Sequence, residues 1–280
     1  MDAPTLGVLR DTALLVWLTL LFGVLAYQLL RSFMPDAMTS IGRVQAANFV
    51  SGDAIIVAAL SLLFLSGLQA SSGGADSAKE PMELTLNGLL GNIVVQLGIC
   101  VSLLLYLRVF RNLSPAELFG LRRISLLFVG IIAILAMIPT ILLVNGSALA
   151  IHTWMEGFWP DLTGQDAAEA FRKAKDPLAK VLLIISAAIV APLVEEIVFR
   201  GFIYGVIKRY TDGIFAALCS SLLFAAIHLH VGTLMPLAML AMVFCAMYEL
   251  TGCLLVPMVM HGLFNATSLT VMLFFPDIQP

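Results

Sequence analysis

Charge is scarce in this sequence. Aspartate, glutamate, lysine and arginine make up 12% of its 280 residues, and 60% are hydrophobic; a soluble domain carries roughly 25% charged residues. A large water-facing domain is excluded. There is no basic tail and no run of like charges, and the net charge is −3, which excludes nucleic acid as a partner. Cysteine is sparse. Cys100, Cys219, Cys245 and Cys253 lie in or at the ends of apolar blocks and form no C-x-x-C pair, so they read as small apolar packers rather than a redox centre. No H-E-x-x-H or other compact zinc motif is present. The first apolar block, Leu14 to Leu30, has no small-x-small cleavage site after it. It is also longer than the roughly 7–15 apolar residues of a signal peptide, and is expected to be a retained first span.

What fills the chain instead is long apolar blocks. A bilayer crossing takes about 20 mostly apolar residues, and in lipid the backbone must bond internally, so such blocks become helices. The sequence predicts an all-α fold, a polytopic integral membrane helix bundle of about eight transmembrane helices. They lie near Thr12–Leu30, Ala54–Gln69, Asn87–Leu107, Ile124–Val144, Val181–Lys208, Gly213–Leu229, Leu234–Leu250 and Cys253–Phe275. These group into an N-terminal transmembrane region (1–150), an extramembrane or interfacial linker (151–177) and a C-terminal transmembrane domain (178–276). Ser71 to Glu83 reads as a flexible loop, and Asp166 to Lys175 as a short amphipathic helix in the interface. Arg31, Arg43, Arg108, Arg111, Arg122, Arg123, Arg200, Lys208 and Arg209 alternate onto one side. The positive-inside rule makes that side cytoplasmic and places both termini outside, although Arg172, Lys173, Lys175 and Lys180 fall on the other side. Membrane lipids are the expected surroundings. The lack of long soluble domains and of organelle targeting sequences leans towards a bacterial inner membrane.

Ionisable residues inside such helices cost about 2.5–3.5 kcal/mol each at a helix centre, which makes them functional candidates. Three groups stand out in the C-terminal third. In Pro192 to Gly201, Glu196 and Arg200 are four apart and share a helix face, which leaves Glu195 free for another task. Phe224-Ala-Ala-Ile-His228 closes the sixth block, with His230 a plain polar cap beyond it. His261-Gly-Leu-Phe-Asn265 puts a histidine and an asparagine on one face of the last helix. Each has a bland reading as well: an interhelical clamp, a loop-side cap, and packing glue. Counting back and forward from the turn at Arg209 to Gly213, Glu195 and His228 are level, roughly 25 Å in, while His261 and Asn265 come out shallower, at roughly 12–20 Å. One intrabundle polar cluster of Glu195, His228, His261 and Asn265 is expected, provided that tilt or a late helix start closes the gap.

No serine or cysteine stands out as a nucleophile; Ser220 and Ser221 have no evident activating partner. A carboxylate with two imidazoles suits water activation: Glu195 as general base and then acid, with the imidazoles and the Asn265 amide stabilising an oxyanion. The same residues also admit a Zn²⁺ held by His228, His261 and a carboxylate with an open position for water.

The ordered set E-E-x-x-x-R (Glu195, Glu196, Arg200), F-x-x-x-H (Phe224, His228) and H-x-x-x-N (His261, Asn265) resembles the CAAX protease and bacteriocin-processing (CPBP, or Abi) family. The resemblance covers roughly Val181 to Phe275 and makes 178–276 the catalytic domain. It implies an intramembrane endopeptidase similar to the type II prenyl protease, acting on a peptide or protein near the membrane surface. By position, Glu195 would activate the water, and His228, His261 and Asn265 would bind a metal or stabilise the oxyanion. Glu196 and Arg200 would be the supporting pair. A zinc mechanism and a metal-free glutamate mechanism both remain open. The competing reading is a non-catalytic membrane immunity or scaffold protein, or a transporter with a Glu–His proton relay; no inverted repeat of the kind transporters often carry is found.

Overall fold

The apolar blocks fold as helices, and no strand occurs among the described residues. The computed structural model describes residues 25, 27–29, 32–33, 42–72, 86–155, 176–228 and 231–274. The helices are α1 (Ser51–Ser72), α2 (Leu86–Phe110), the short α3 (Pro115–Leu118), α4 (Leu126–Met155), α5 (Pro177–Tyr210), α6 (Gly213–Ala226), α7 (Val231–Thr251) and α8 (Leu255–Phe274). Five of them, α2, α4, α5, α7 and α8, are long and apolar enough to cross a membrane. The expected sixth span is a helix of 14 residues, which advances about 21 Å against the roughly 30 Å of a hydrocarbon core. Most of the first expected span, most of the Ser71 to Glu83 loop, the helix at Asp166 to Lys175, and His230 lie outside the described residues.

The fourth helix does not stop near Val144 but continues to Met155, past the expected 150/151 boundary. Its polar residues do not break it because they turn back on their own helix. The Thr140 hydroxyl donates to the Ala136 carbonyl at 2.7 Å, Ser147 to Val144 at 2.8 Å and Thr153 to Leu149 at 2.9 Å. On the outer faces of α2 and α4, large apolar residues such as Val94, Leu127 and Leu142 are exposed, as lipid-facing positions should be. Inside, α4 packs on α7 and α8, and α5 packs on α2, α6, α7 and α8. All four cysteines are free; Cys100, Cys245 and Cys253 are buried.

One end of the bundle is closed by chain segments tied to one another. Asp53, fully buried near the start of α1, accepts from the Val50 N–H (2.7 Å), the Tyr106 hydroxyl (2.7 Å) and Arg111 Nε (3.0 Å). Glu249, near the end of α7, takes the Lys208 ammonium, the Tyr204 hydroxyl and the Val44 N–H. Arg123 donates to the Arg43 carbonyl at 2.9 Å. Arg43, Arg108, Arg122, Arg123 and Arg209 are exposed at this end. Arg200 is not among them, contrary to expectation: its side chain is fully buried in the bundle interior, where it faces a carboxylate.

This closed end explains the depth of α8. Leu254 donates its N–H to the Phe119 carbonyl at 3.0 Å, and a Cβ on Gly201 would meet both Phe119 and Leu254. The start of α8 is thus level with Gly201, well short of the end of α5 at Tyr210. The late helix start is what closes the depth gap and brings His261 level with Glu196. Gly120 and Gly252 make the crossing possible. Both have φ of +63°, and a Cβ on Gly120 would sit 1.9 Å from the Gly252 carbonyl oxygen. Gly120→Ala is therefore expected to destabilise the protein by about 1–3 kcal/mol from backbone conformation alone, more once the clash is added. A thermal melt in detergent reads this; an unchanged midpoint would mean that the crossing does not hold α8 at its depth.

Candidate active site

The site is built on an irregular helix. Asp176 caps α5 by accepting from the Leu178 N–H at 3.0 Å, with Pro177 in the first turn. The helix then alternates between α geometry and wider π geometry, with π segments at Ser186–Val190 and Glu196–Tyr204. Such π segments are frequent at functional sites. Glu195 and Glu196 straddle the start of the second one.

Glu196 and Arg200 form the expected pair, with Arg200 Nη1 3.0 Å from Glu196 Oε1 and both side chains fully buried. Glu196 has a second partner that spacing alone did not reveal: its Oε1 lies 2.9 Å from His261 Nδ1. A carboxylate can only accept here, so Nδ1 carries the proton. That bond fixes the ring and turns Nε2 towards Glu195, whose Oε2 is 3.7 Å away. Glu195 is the less buried of the two carboxylates, with 22% of its side chain exposed. The arrangement is a carboxylate–histidine relay from Glu196 through His261 to the edge of Glu195.

Aromatic rings wall the cluster. The Arg200 guanidinium lies 4.4 Å from the centre of the Phe224 ring and 5.3 Å from that of Phe244, so ring faces offset part of the buried charge. Its nitrogens make no well-formed hydrogen bond among the described residues. Phe244 also stacks on His261 at 5.1 Å, and Phe224 meets His261 edge-on at 5.8 Å.

His228 joins the cluster through Phe224 and not by touching Glu195. Its ring is 4.8 Å from the Phe224 ring, and its Nδ1 is 2.8 Å from the Phe224 carbonyl oxygen. A carbonyl only accepts, so Nδ1 donates and the neutral ring keeps a bare Nε2, available to take a proton or bind a ligand. Asn265 spends one amide N–H on the Ala187 carbonyl at 2.8 Å. The two serines are engaged elsewhere: Ser220 donates to the Phe199 carbonyl at 2.9 Å, and Ser221 sits 3.9 Å from Cys245 Sγ.

Whether the set fits a zinc ion is decided by its donors. Glu195 Oε2 and His261 Nε2 are close enough to share an ion. A catalytic zinc takes three protein ligands, and among the described residues no three His, Cys, Asp or Glu side chains come together as a ligand set. As placed, the residues do not fit, and no chemical step is routed through a metal.

Sequence reasoning missed Phe244 and Glu249. Glu249 carries the same signal as the residues that were found, an acid inside an apolar block. Phe244 carries none, being one apolar residue in an apolar helix.

The family comparison falls on this region. Residues 177–267 match the model described as type II CAAX prenyl endopeptidase Rce1-like. The chain is also 34% identical over 84 residues to a Bacillus subtilis (strain 168) protein named "Putative membrane peptidase YdiL". The match covers 30% of this chain and 34% of that relative, so the chain spans about a third of the curated relative's length. No solved structure matches. The matched stretch holds Glu195, Glu196, Arg200, His228, His261 and Asn265, so the part of the chain that carries the three motifs, residues 177–267, is similar to the type II CAAX prenyl endopeptidase Rce1-like family.

Proposed function

We propose that this chain is an intramembrane endopeptidase in which Glu195 activates water to hydrolyse a peptide bond. The observation that carries the reading is the 3.7 Å separation of Glu195 Oε2 and His261 Nε2. It is too long for a hydrogen bond, yet a single water oxygen can lie about 2.8 Å from both atoms. In the first step, Glu195 takes a proton from that water as its oxygen attacks the scissile carbonyl carbon. The carbonyl oxygen becomes an oxyanion. The proton on Glu195 then passes to the leaving amide nitrogen, the C–N bond breaks, and the carboxylate is regenerated. His261, oriented by Glu196, steadies the water and the carboxylate in the reactive geometry. His228, with its bare Nε2, takes up or returns a proton during turnover.

Access follows from the length of α6. At 14 residues it is too short to cross the apolar slab, so the end that carries His228 lies within the slab and within reach of a peptide segment that enters it. The substrate class is a peptide or protein segment near the membrane surface. The prenyl group is a feature of the family's name and is not assigned to this chain's substrate.

The test is cleavage of a quenched-fluorescent peptide library by the purified protein in detergent, with metal content measured on the same sample. Cleavage that persists after chelation is expected. Cleavage lost on chelation and restored by Zn²⁺ would replace the glutamate mechanism with a metal one. No cleavage by well-folded protein would shift the reading to an immunity, scaffold or transport role.

A further inference from the structure

We infer that Phe244 is a positioning residue: it holds the plane of the His261 ring so that Nε2 stays aimed at Glu195, and it acts on the reaction only through that ring. The reasoning begins with what the Glu196 bond leaves free. A histidine ring turns about its Cβ–Cγ bond, and that torsion has broad wells rather than one sharp rotamer. The bond from His261 Nδ1 to Glu196 Oε1 at 2.9 Å pins one atom of the ring. It does not fix the plane, and Nε2 shifts whenever the plane tilts. Displacing a group at a reacting centre by about 1 Å costs about 10²-fold in rate, so a tilt is enough to matter.

Phe244 supplies the missing support. Its ring stacks on the face of His261, with centroids 5.1 Å apart and 30° between the planes, whereas Phe224 meets the same ring edge-on at 78°. Stacked faces lose contact when either ring tilts, so the stack resists the motion that the Glu196 bond leaves open. Phe244 is itself held. It is fully buried, and it shares an apolar cluster with Leu240, Val256 and Met260, which are buried with it. On the polar side its ring centre is 5.3 Å from the Arg200 guanidinium carbon. The ring thus stands between a packed apolar core and the two groups, Arg200 and His261, that meet at Glu196 Oε1. A site keeps its reactive geometry when the residues behind it are locked by packing in this way. Phe244 lies on α7, outside the three motifs.

The experiment compares Phe244→Leu with Phe49→Leu in detergent. Leucine stays apolar but has no flat face. Phe49 is the control, a ring 2% exposed that packs edge-on against Phe202 at 5.8 Å and lies against Gly205, at the closed end of the bundle. The readouts are kcat and KM on a cleaved peptide and the NMR signals of the two His261 ring nitrogens, assigned by their absence from His261→Gln. The kinetic arm rests on the peptidase reading; the spectral arm does not. In the wild type one His261 nitrogen is protonated and the other bare. Phe244→Leu is expected to lower kcat about tenfold or more with KM within about twofold. It should also draw the two nitrogen signals together, as the ring leaves Glu196 and its tautomers exchange. Phe49→Leu should lower Tm yet leave kcat within about twofold and the signals in place. Unmoved His261 signals in Phe244→Leu overturn the inference whatever the rate. So do an unchanged kcat, a loss carried by KM instead, or the same changes in Phe49→Leu. If Phe244→Leu does not fold, Phe244→Met carries the same expectations, and failure of both to fold overturns the inference in favour of plain core packing. If Phe49→Leu does not fold, Phe49→Met takes its place. If the wild type cleaves no peptide, the peptidase reading falls, and the nitrogen signals still decide whether Phe244 holds His261.

Discussion

Glu195→Gln is expected to lower kcat by roughly 10²–10⁴-fold, the contribution of a positioned general base, with little change in KM or in thermal stability. The structure separates the two effects. Glu195 is partly exposed, and its neighbour His261 stands at 3.7 Å, beyond hydrogen-bonding distance. Glutamine has the same shape, so packing survives, but the amide cannot accept a proton from water at neutral pH. Kinetics and a thermal melt on the same preparation test this. A folded Glu195→Gln protein that cleaves at the wild-type rate removes Glu195 from the chemistry.

Glu196→Gln is expected to behave differently and to fail first in stability. Its carboxylate neutralises Arg200 and receives the His261 Nδ1–H. Removing the negative charge leaves a buried guanidinium facing the Phe224 and Phe244 rings, with no other ion-pair partner among the described residues. Stranding one member of a buried ion pair costs about 3–5 kcal/mol. A large drop in melting temperature in detergent is therefore predicted, accompanied by loss of cleavage as His261 loses its orienting bond. Adding Arg200→Met should recover much of the stability, because an apolar replacement of a whole buried pair is often near neutral. It should not recover cleavage, because His261 remains unheld. A melting temperature for Glu196→Gln equal to wild type would show that the pair is not the interior anchor described here.

Neighbouring glutamates that share an expected loss of cleavage but differ in their expected effect on stability illustrate how much of the site is readable in a sequence. The four-residue spacing of Glu196 and Arg200 places them on one helix face whatever surrounds them, and that pair is present. What spacing cannot give is the partner on another helix. That Glu196 also holds His261 depends on how deep α8 begins, and this depth is set where Leu254 meets Phe119 and Gly120, two residues far from the site in sequence. The same gap explains the error over Arg200. Charge counting along the chain places arginines by their distance from a turn, whereas its burial follows from two phenylalanines and a carboxylate converging from three helices.

The sequence by itself determined the class of the molecule: apolar blocks of bilayer length have no option in lipid but to close their own hydrogen bonds as helices. It also determined which residues are out of place there, because a charge in an apolar helix is costly wherever that helix packs. Only the tertiary structure decided what those residues do for one another. The short α6, the recessed start of α8, the Glu196–His261 bond and the use of Asn265 against Ala187 all depend on backbone groups and helix depths. A residue's identity fixes what its side chain can bond to, but not which partner the fold brings within reach.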